Sequence, residues 1–432
     1  MITTKGKYLY KDGKRFFYLA DTCWSGFTSI EMPDWKYYLD TRKREGFNAI
    51  QINVLRQYDS TAPIDEREPF PIVYHDDGNY EYDYTKPNQA YFDNAKKMLE
   101  EMVKRDMVPV LVLLWGNFVP GTWMNDNKNP FLSRVHKPQI MPYEQLHDYI
   151  SYVVNTFKEF NPIYFVSGDV GFDDTEDQQP EKTIKYYREV LKVAKEADPD
   201  GVFTFHINDK AKTMPEDFLN DTNMYCYQSG HGIANQANAY LVPEKMRKEG
   251  YKKPIIDAEL CYEGLDKFGA KQPAKYSAYE VREAAWRAVL SGSDAGLGYG
   301  SYGIWPWNDN YREGQQMTGF LKPYDWRECL KFRGAKDMGF LKDTVLCYGA
   351  DGLNPVDSSL LESPTIRAAE NSDYLLVYNP VANPIDLSKL NVKDGQCKVV
   401  DLQTLRPLEG SIKNGIVAME PVVEDELIVI KK

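Results

Sequence analysis

The chain has 432 residues, of which 52 are basic and 64 are acidic, so its formal net charge at neutral pH is −12. A negative charge of this size repels phosphate backbones and anionic lipid headgroups, which argues against nucleic-acid and membrane partners. The length favours two domains over three, because α/β barrels alone often fill about 250 residues or more as one unit.

The N-terminal sequence, MITTKGKYLYKDGK, contains no apolar segment with a small-residue cleavage site, and no apolar run reaches the roughly 18 residues that span a bilayer. These features predict a soluble cytoplasmic protein, or a secreted or periplasmic one if a signal peptide was removed before Met1. The six cysteines are widely spaced and form no C-x-x-C pair, so we expect reduced, mostly buried thiols rather than a zinc site.

Along most of the chain, short apolar β-rich runs alternate with stretches of helical periodicity. This alternation is typical of βαβ units and a parallel sheet. The runs predict eight strands, at residues 16–20, 49–55, 108–114, 163–167, 202–207, 224–228, 254–259 and 295–299. The periodic stretches predict helices at residues 35–45, 91–105, 143–160, 181–197, 235–248 and 277–290.

Eight parallel strands with intervening helices predict a closed (β/α)8 TIM barrel, within the α/β class. An open doubly wound sheet is the weaker alternative, because no phosphate-binding turn follows the first strand. The sequence GYGSYG at residues 298–303 has the spacing of a dinucleotide-binding loop, but Ile-Trp-Pro-Trp follows it instead of a helix. Since no other cofactor or metal motif occurs either, we predict no cofactor and no metal.

Beyond about residue 349 the helical periodicity ends, and short alternating strands separated by turns follow. This change predicts a small antiparallel β-sandwich. We therefore predict two domains, a catalytic (β/α)8 barrel at residues 1–348 and a C-terminal β-sandwich domain at residues 349–432. We expect the second domain to pack against the barrel rather than to bind a ligand.

Two acidic residues follow predicted strands whose carboxyl ends meet at one face, where barrel enzymes build their active sites. Strand four ends in YFVSGD and strand seven in IIDAEL, which places Asp169 and Glu259 on one rim. Glycoside cleavage needs one carboxyl group to protonate the leaving oxygen and one ionised carboxylate to attack the sugar. We assign Asp169 as acid/base and Glu259 as nucleophile; the alternative is that they cap helices or pair with an arginine such as Arg56.

Histidines and aromatic residues near the same strand ends extend the candidate site. His206 ends strand five and His231 follows strand six, where imidazole can bind sugar hydroxyls or orient the nucleophile, although a lone histidine is more often structural. Asp173 and Asp174 are expected to be solvated loop charges rather than metal ligands. A sugar-stacking wall is predicted from aromatic residues that can also simply pack within loops, namely Trp24, Trp115, Tyr262, Trp305 and Trp307.

Seven motifs occur in a fixed order: LYKDGKRFFYLADTCW, REGFNAIQINVL, LVLLWGNFV, YFVSGD, YCYQSGHG, PIIDAELCYEG and VREAAWRAVLSG. Over roughly residues 8–345 they resemble the apiosidase-like (β/α)8-barrel glycoside hydrolases of the clan A type. The resemblance implies a retaining mechanism with Asp169 of SGD and Glu259 of DAEL, and release of β-linked apiose from pectic side chains. It also implies ligand contacts from Asp21, Trp24, Gln51, Trp115, Gln228, His231 and Glu263.

The chain departs from the family pattern at both carboxylates. Many clan A barrels have Asn-Glu where this chain has Gly168 and Asp169, and relatives tend to have Gly-Glu-Pro where it has Ala258, Glu259 and Leu260. The predicted partner is an oligosaccharide or glycoside, with the oligomeric state and the choice between terminal and internal cleavage left open. The alternatives are a glycosidase for another sugar, an inverting mechanism, and a barrel that binds carbohydrate without turnover.

Overall fold

The structure of the protein is a computed structural model. It describes residues 1–58, 64–77, 79–125, 140–173, 179–211, 214–313, 322–382 and 384–432. Asp174, for which the sequence predicts a solvated loop charge, lies outside the described residues, as do parts of the long connections after the second and third barrel strands.

Eight parallel strands form one sheet, in which the first five pair in chain order, the sixth to the eighth pair in chain order, and the eighth pairs with the first. They are Tyr18–Thr22, Ala49–Asn53, Val108–Trp115, Ile163–Gly168, Val202–Thr204, Tyr225–Gln228, Ile255–Glu259 and Gly296–Tyr299. A parallel bridge between His206 and Cys226 joins the fifth strand to the sixth and completes the ring. The predicted (β/α)8 barrel is therefore confirmed.

One helix follows each barrel strand, so that the strands are covered on their outer side. These helices are Met32–Arg44, Gln89–Lys104, Leu146–Phe157, Pro180–Ala197, Glu216–Asp221, Asn238–Lys248, Ala278–Leu290 and Arg333–Tyr348. Short helices also occur at Gly26–Ser29 and Trp326–Cys329. Within the described part of the chain, none of the helices has both the length and the apolar character needed to cross a membrane.

The sequence does not predict two of the eight barrel helices. Glu216–Asp221 has six residues, fewer than two turns, and so shows no periodicity. In Arg333–Tyr348, glycine and polar residues occupy part of the buried face, as at Gly334, Asp337 and Gly339, so the apolar stripe is narrow. The glycine at 339 allows close packing, because a Cβ atom there would overlap the backbone of Glu45. The predicted first strand is also corrected at its start, since Phe16 belongs to a separate antiparallel sheet formed by Ile2–Lys5, Tyr8–Lys11 and Lys14–Phe16.

The C-terminal part folds as an eight-stranded antiparallel β domain. Its strands are Asn354–Pro355, Arg367–Glu370, Tyr374–Asn379, Ile385–Asp386, Gly395–Asp401, Arg406–Lys413, Ile416–Met419 and Glu426–Lys431. Successive side chains point to opposite faces of a strand. Leu375 and Val377 accordingly enter a core within the β domain, whereas Leu376 and Tyr378 pack with the core of the barrel.

A buried ion cluster fastens the β domain to the barrel helices. Arg282 donates from Nε to Oδ2 of Asp425 at 2.7 Å and from Nη1 to Oδ2 of Asp337 at 2.6 Å. The Tyr378 hydroxyl donates to the other Asp425 oxygen at 3.0 Å. All four side chains are buried, so the charge of Arg282 depends on these carboxylates for compensation.

We expect Asp425→Ala to lower the free energy of unfolding by about 3–5 kcal/mol, because it leaves the buried Arg282 guanidinium with half of its compensating charge. The loss is measurable as a lower midpoint of thermal or urea unfolding. Glu249→Ala is the control, since its partner Lys245 and Glu249 itself are both 60% exposed and 3.9 Å apart. An unchanged midpoint for Asp425→Ala would show that the cluster does not hold the two parts together.

Candidate active site

A pocket of about 400 Å³ lies at the face where the barrel strands reach their carboxyl ends. Its walls are mostly aromatic and apolar, with a small number of convergent polar groups, as in many small-molecule sites. The lining residues are Trp24, Gln57, Tyr58, Trp115, Trp123, Asp169, His231, Glu259, Tyr262, Leu265, Phe268 and Trp305.

Asp169 follows the fourth barrel strand and is held through both its backbone and its side chain. Its backbone has a φ of 55°, in the left-handed region that aspartate adopts more readily than most residues. The Asp169 N–H donates to Nδ1 of His206 at 3.1 Å, and its carbonyl accepts from Nε1 of Trp123 at 2.9 Å. Gln228 donates from Nε2 to Oδ1 of the carboxyl group at 2.7 Å.

Two glycines allow aromatic rings to lie directly against the strand ends. A Cβ atom at Gly168 would overlap the ring of Trp115, and one at Gly300 would overlap the ring of Tyr262. Any larger residue at either position would displace an aromatic wall of the pocket. Gly168, beside Asp169, thus allows Trp115 to form part of the pocket wall and also suits the turn at the end of the strand.

Glu259 ends the seventh barrel strand, and two histidines face its carboxyl group. His231 donates from Nε2 to Oε1 at 2.8 Å, and Nε2 of His206 lies 3.4 Å from Oε2. Burial raises the pKa of Glu259, but its contacts with both histidines outweigh burial and lower the pKa to about 2. Glu259 is therefore ionised across the neutral pH range.

His206 connects the two carboxylate residues. Because its Nδ1 accepts the backbone N–H of Asp169, the proton of the neutral ring resides on Nε2, which faces Glu259. The side chain is fully buried, and its ring stacks on Phe165 with centroids 5.6 Å apart. One rigid imidazole thus fixes the backbone of Asp169 and contributes to the charge environment of Glu259.

The aromatic residues form a connected wall. The rings of Trp24 and Trp115 meet edge to face with centroids 5.0 Å apart, and Nε1 of Trp24 donates to the Tyr262 hydroxyl at 3.1 Å. Tyr262 also lies 4.3 Å from the ring of His231 and 6.3 Å from that of Trp305, measured between centroids. These contacts fix the ring orientations before any ligand enters.

The structure brings most of the predicted site residues together. Those that line the pocket are Asp169, Glu259, Trp24, Trp115, His231, Tyr262 and Trp305. Gln228 is buried beside the pocket and reaches it through its hydrogen bond to Asp169.

Asp21 and Gln51, two of the remaining predicted ligand contacts, are fully buried away from the pocket. Asp21 accepts hydrogen bonds from Tyr38 at 2.8 Å and from Arg42 at 2.6 Å. Gln51 accepts from the Tyr18 hydroxyl at 2.8 Å and donates to a backbone carbonyl of the seventh strand at 3.1 Å. Both side chains therefore form hydrogen bonds with neighbouring elements of the barrel.

Glu263 and Trp307 are also placed outside the pocket lining. Glu263 accepts from the Tyr299 hydroxyl at 2.7 Å and from the Gly334 N–H at 3.0 Å, at the N-terminus of the last barrel helix. A carboxylate is favourable at this end of a helix. Trp307 is fully buried and stacks on Trp326 with centroids 4.5 Å apart.

Five pocket residues were not identified from the sequence. They are Gln57, Tyr58, Trp123, Leu265 and Phe268. All five occur in connections that leave the carboxyl ends of barrel strands, which is the signal that could have found them. Within such long connections, however, spacing alone does not show which side chains turn back toward the barrel.

The barrel has an aromatic pocket with two carboxyl groups at the carboxyl ends of its strands, an arrangement that glycoside hydrolases require. The model of the family described as "Apiosidase-like, catalytic domain" matches residues 3–349, and the chain belongs to this family. It is accordingly a glycoside hydrolase, with a carbohydrate as its substrate.

Solved structures share the fold at low sequence identity. One named "Glycoside hydrolase" has a TM-score of 0.78 and 20% identity, over 100% of this chain and 96% of the other. A glycoside hydrolase family 5 structure from Bacteroides vulgatus ATCC 8482 has a TM-score of 0.76 and 20% identity, over 99% and 93% of the two chains. No curated protein sequence matches the chain. At these identities the likenesses show the fold alone.

Proposed function

We propose that this chain is a retaining glycoside hydrolase, with Glu259 as the nucleophile and Asp169 as the acid/base. The environment of Glu259 is the observation that carries the proposal. A carboxylate whose pKa is lowered to about 2 by two facing histidines is poorly suited to donate a proton at neutral pH. Asp169 is the other carboxyl group among the described residues that line the pocket, and it takes the acid role.

The reaction proceeds in two displacements. In the first, Asp169 protonates the glycosidic oxygen while Glu259 attacks the anomeric carbon, so that the leaving group departs and a covalent glycosyl-enzyme forms. In the second, the Asp169 carboxylate accepts a proton from a water molecule. The oxygen of this water attacks the anomeric carbon, and the bond between that carbon and Glu259 breaks. The sugar is released with its original configuration, and Glu259 and protonated Asp169 are regenerated.

The neighbours of the two carboxyl groups suit these roles. Because Gln228 donates to Oδ1 of Asp169, Oδ1 acts as an acceptor, and we assign the transferable proton to Oδ2. His231 and His206 stabilise the negative charge of Glu259 before attack and again when the glycosyl-enzyme breaks down. The same contacts serve the carboxylate as nucleophile and as leaving group.

For the substrate we propose a β-linked apioside, of the kind present in pectic side chains. Membership of the apiosidase-like family supports this choice over other sugars. The aromatic wall supports a ring-shaped ligand in general, because the C–H faces of sugar rings pack on aromatic rings. It does not by itself distinguish apiose from other sugars, so the activity test must include several of them.

The test is hydrolysis of a panel of aryl β-glycosides that includes β-apiosides, with the first-formed anomer followed by NMR. Release of the β-anomer ahead of mutarotation is expected from a retaining enzyme. Release of the α-anomer would mean inversion. Glu259 would then activate a water molecule as a general base instead of attacking the sugar. A silent panel combined with measurable binding of pectic oligosaccharides would favour a barrel that binds carbohydrate without turnover.

His231→Ala is expected to shift the acid limb of kcat/KM to higher pH. The substitution removes the 2.8 Å hydrogen bond to Glu259, so the pKa of Glu259 rises from about 2 toward the ordinary value of about 4.3. Because the nucleophile must be ionised, the variant loses activity as the pH falls through a range where the wild type is still active. His147→Ala, on an exposed helix position, is the control. Coincident acid limbs would contradict the role of His231.

A further inference from the structure

The pairing between the sixth and seventh barrel strands changes register beside the active site. Tyr227 lies opposite Asp257, but the next residue, Gln228, lies opposite Glu259, so that Ala258 is passed over. One extra residue in one strand is a β-bulge, a feature that re-aims side chains near active sites.

This register shift decides where the Glu259 side chain points. Paired residues of parallel strands face the same side of the sheet, and successive residues alternate. With regular pairing, Gln228 would lie opposite Ala258, and Glu259 would face away from the Gln228 side. The bulge instead places Glu259 on the same side as Gln228, which bonds to Asp169.

One carboxyl oxygen connects the two strand ends at the bulge. Oδ1 of Asp257 accepts the backbone N–H of Ser229 at 3.2 Å and that of Glu259 at 3.4 Å. The Gly230 N–H adds a bond to the Glu259 carbonyl at 3.2 Å. The Asp257 side chain is fully buried, and its Oδ2 has no hydrogen-bond partner among the described residues.

The charge state of Asp257 is compatible with its position close to the carboxylate of Glu259. Burial raises the pKa of Asp257 to about 8, and the negative charge of Glu259 contributes in the same direction. At neutral pH the group is therefore largely a neutral acid, with its proton on the unpaired Oδ2. A neutral carboxyl group accepts both amide bonds without placing a further negative charge beside Glu259.

We propose that Asp257 is a positioning residue whose carboxyl group holds the register shift that turns Glu259 into the pocket. It acts through the backbone of Ser229 and Glu259, and it is not part of the pocket lining. The inference rests on the proposed role of Glu259 as the nucleophile. Asp257, the first residue of the DAEL motif, neither contacts the substrate nor moves a proton in the reaction.

The test compares Asp257→Ala with Asp257→Asn. Asparagine keeps a carbonyl oxygen for the two N–H groups and replaces the protonated oxygen with an amide, so its kcat is expected to stay close to that of the wild type. Alanine removes the acceptor, and a misplacement of about 1 Å in a reacting group costs on the order of 10²-fold in rate. We expect that loss in kcat with little change in KM. If the alanine variant does not fold, Asp257→Ser replaces it, because its shorter hydroxyl cannot reach both N–H groups.

Asp337→Ala is the matched control, since Asp337 is an equally buried aspartate at the β-domain interface. It is expected to lower the unfolding midpoint while leaving kcat unchanged below that midpoint. A crystal structure of Asp257→Ala supplies a readout that needs no activity. If the register shift and the bond from His231 to Glu259 persist there, the inference is overturned. A wild-type enzyme that cleaves no glycoside would overturn the proposed function, while the structural comparison would still test Asp257.

Discussion

Glu259→Ala is expected to reduce hydrolysis by on the order of 10⁴-fold or more, because a double displacement has no first step without its nucleophile. The substitution also leaves a small space beside the anomeric carbon. Azide is small enough to occupy such a space and can attack the same face from which Glu259 would attack. With an activated aryl glycoside, azide should restore turnover and yield a glycosyl azide of inverted configuration, because only one displacement then takes place.

Glu244→Ala is the matched control for this experiment. Glu244 is a partly buried glutamate of a barrel helix that pairs with Arg367 of the β domain, 3.2 Å away. Its loss is expected to affect stability and to leave kcat unchanged. Wild-type activity in Glu259→Ala would show that another group is the nucleophile. Lost activity without azide rescue, in a correctly folded variant, would indicate a structural role instead.

The barrel could be predicted from the sequence because each of its layers leaves a distinct pattern. Parallel strands are buried on both faces, so they occur as continuous apolar runs, as in VPVLVLLW of Val108–Trp115. Helices with a single buried face, such as Gln89–Lys104, show a clear 3.6-residue period. In the last barrel helix, Arg333–Tyr348, glycines and polar residues share the buried face with Ala335, Met338, Leu341 and Val345, so the apolar stripe is narrow and its period is weak.

The candidate site could be predicted only as far as the strand ends. That rule found Asp169 and Glu259, because each directly ends or follows a barrel strand. It does not give the direction of a side chain, which depends on register and on contacts with other elements. Asp21 turns to Arg42 of the first barrel helix rather than to the pocket. The bulge that orients Glu259 likewise depends on pairing between two strands, which is not visible in either strand alone.

The family resemblance and the strand-end rule differ in what they add. The resemblance names a sugar and seven ligand contacts, of which Trp24, Trp115 and His231 line the pocket. The strand-end rule names no sugar, yet it leads to the same pair of carboxylates. Their agreement on Asp169 and Glu259 makes these two residues the natural first targets for substitution, ahead of the buried residues that hold the barrel together.

Asp169→Ala is expected to have an effect that depends on the leaving group. General acid catalysis accelerates cleavage by about 10²–10⁴-fold. A poor leaving group, such as a sugar or an alkyl alcohol, depends fully on this acceleration. For these substrates kcat/KM should fall by about 10³-fold. A dinitrophenyl glycoside needs no proton to depart, so its kcat/KM should change little. Its kcat should nevertheless fall, because no general base then activates the water that hydrolyses the glycosyl-enzyme.

Azide distinguishes the two variants by the configuration of the product. In Asp169→Ala the nucleophile Glu259 is intact, so azide attacks a glycosyl-enzyme that has already undergone one displacement, and the glycosyl azide retains the configuration of the substrate. In Glu259→Ala the same reagent gives the opposite anomer. If Glu259→Ala gave a glycosyl azide of retained configuration and Asp169→Ala gave one of inverted configuration, the two roles would be exchanged. That exchange would in turn conflict with the low pKa of Glu259, because a group held ionised down to a pH of about 2 would then have to act as the acid.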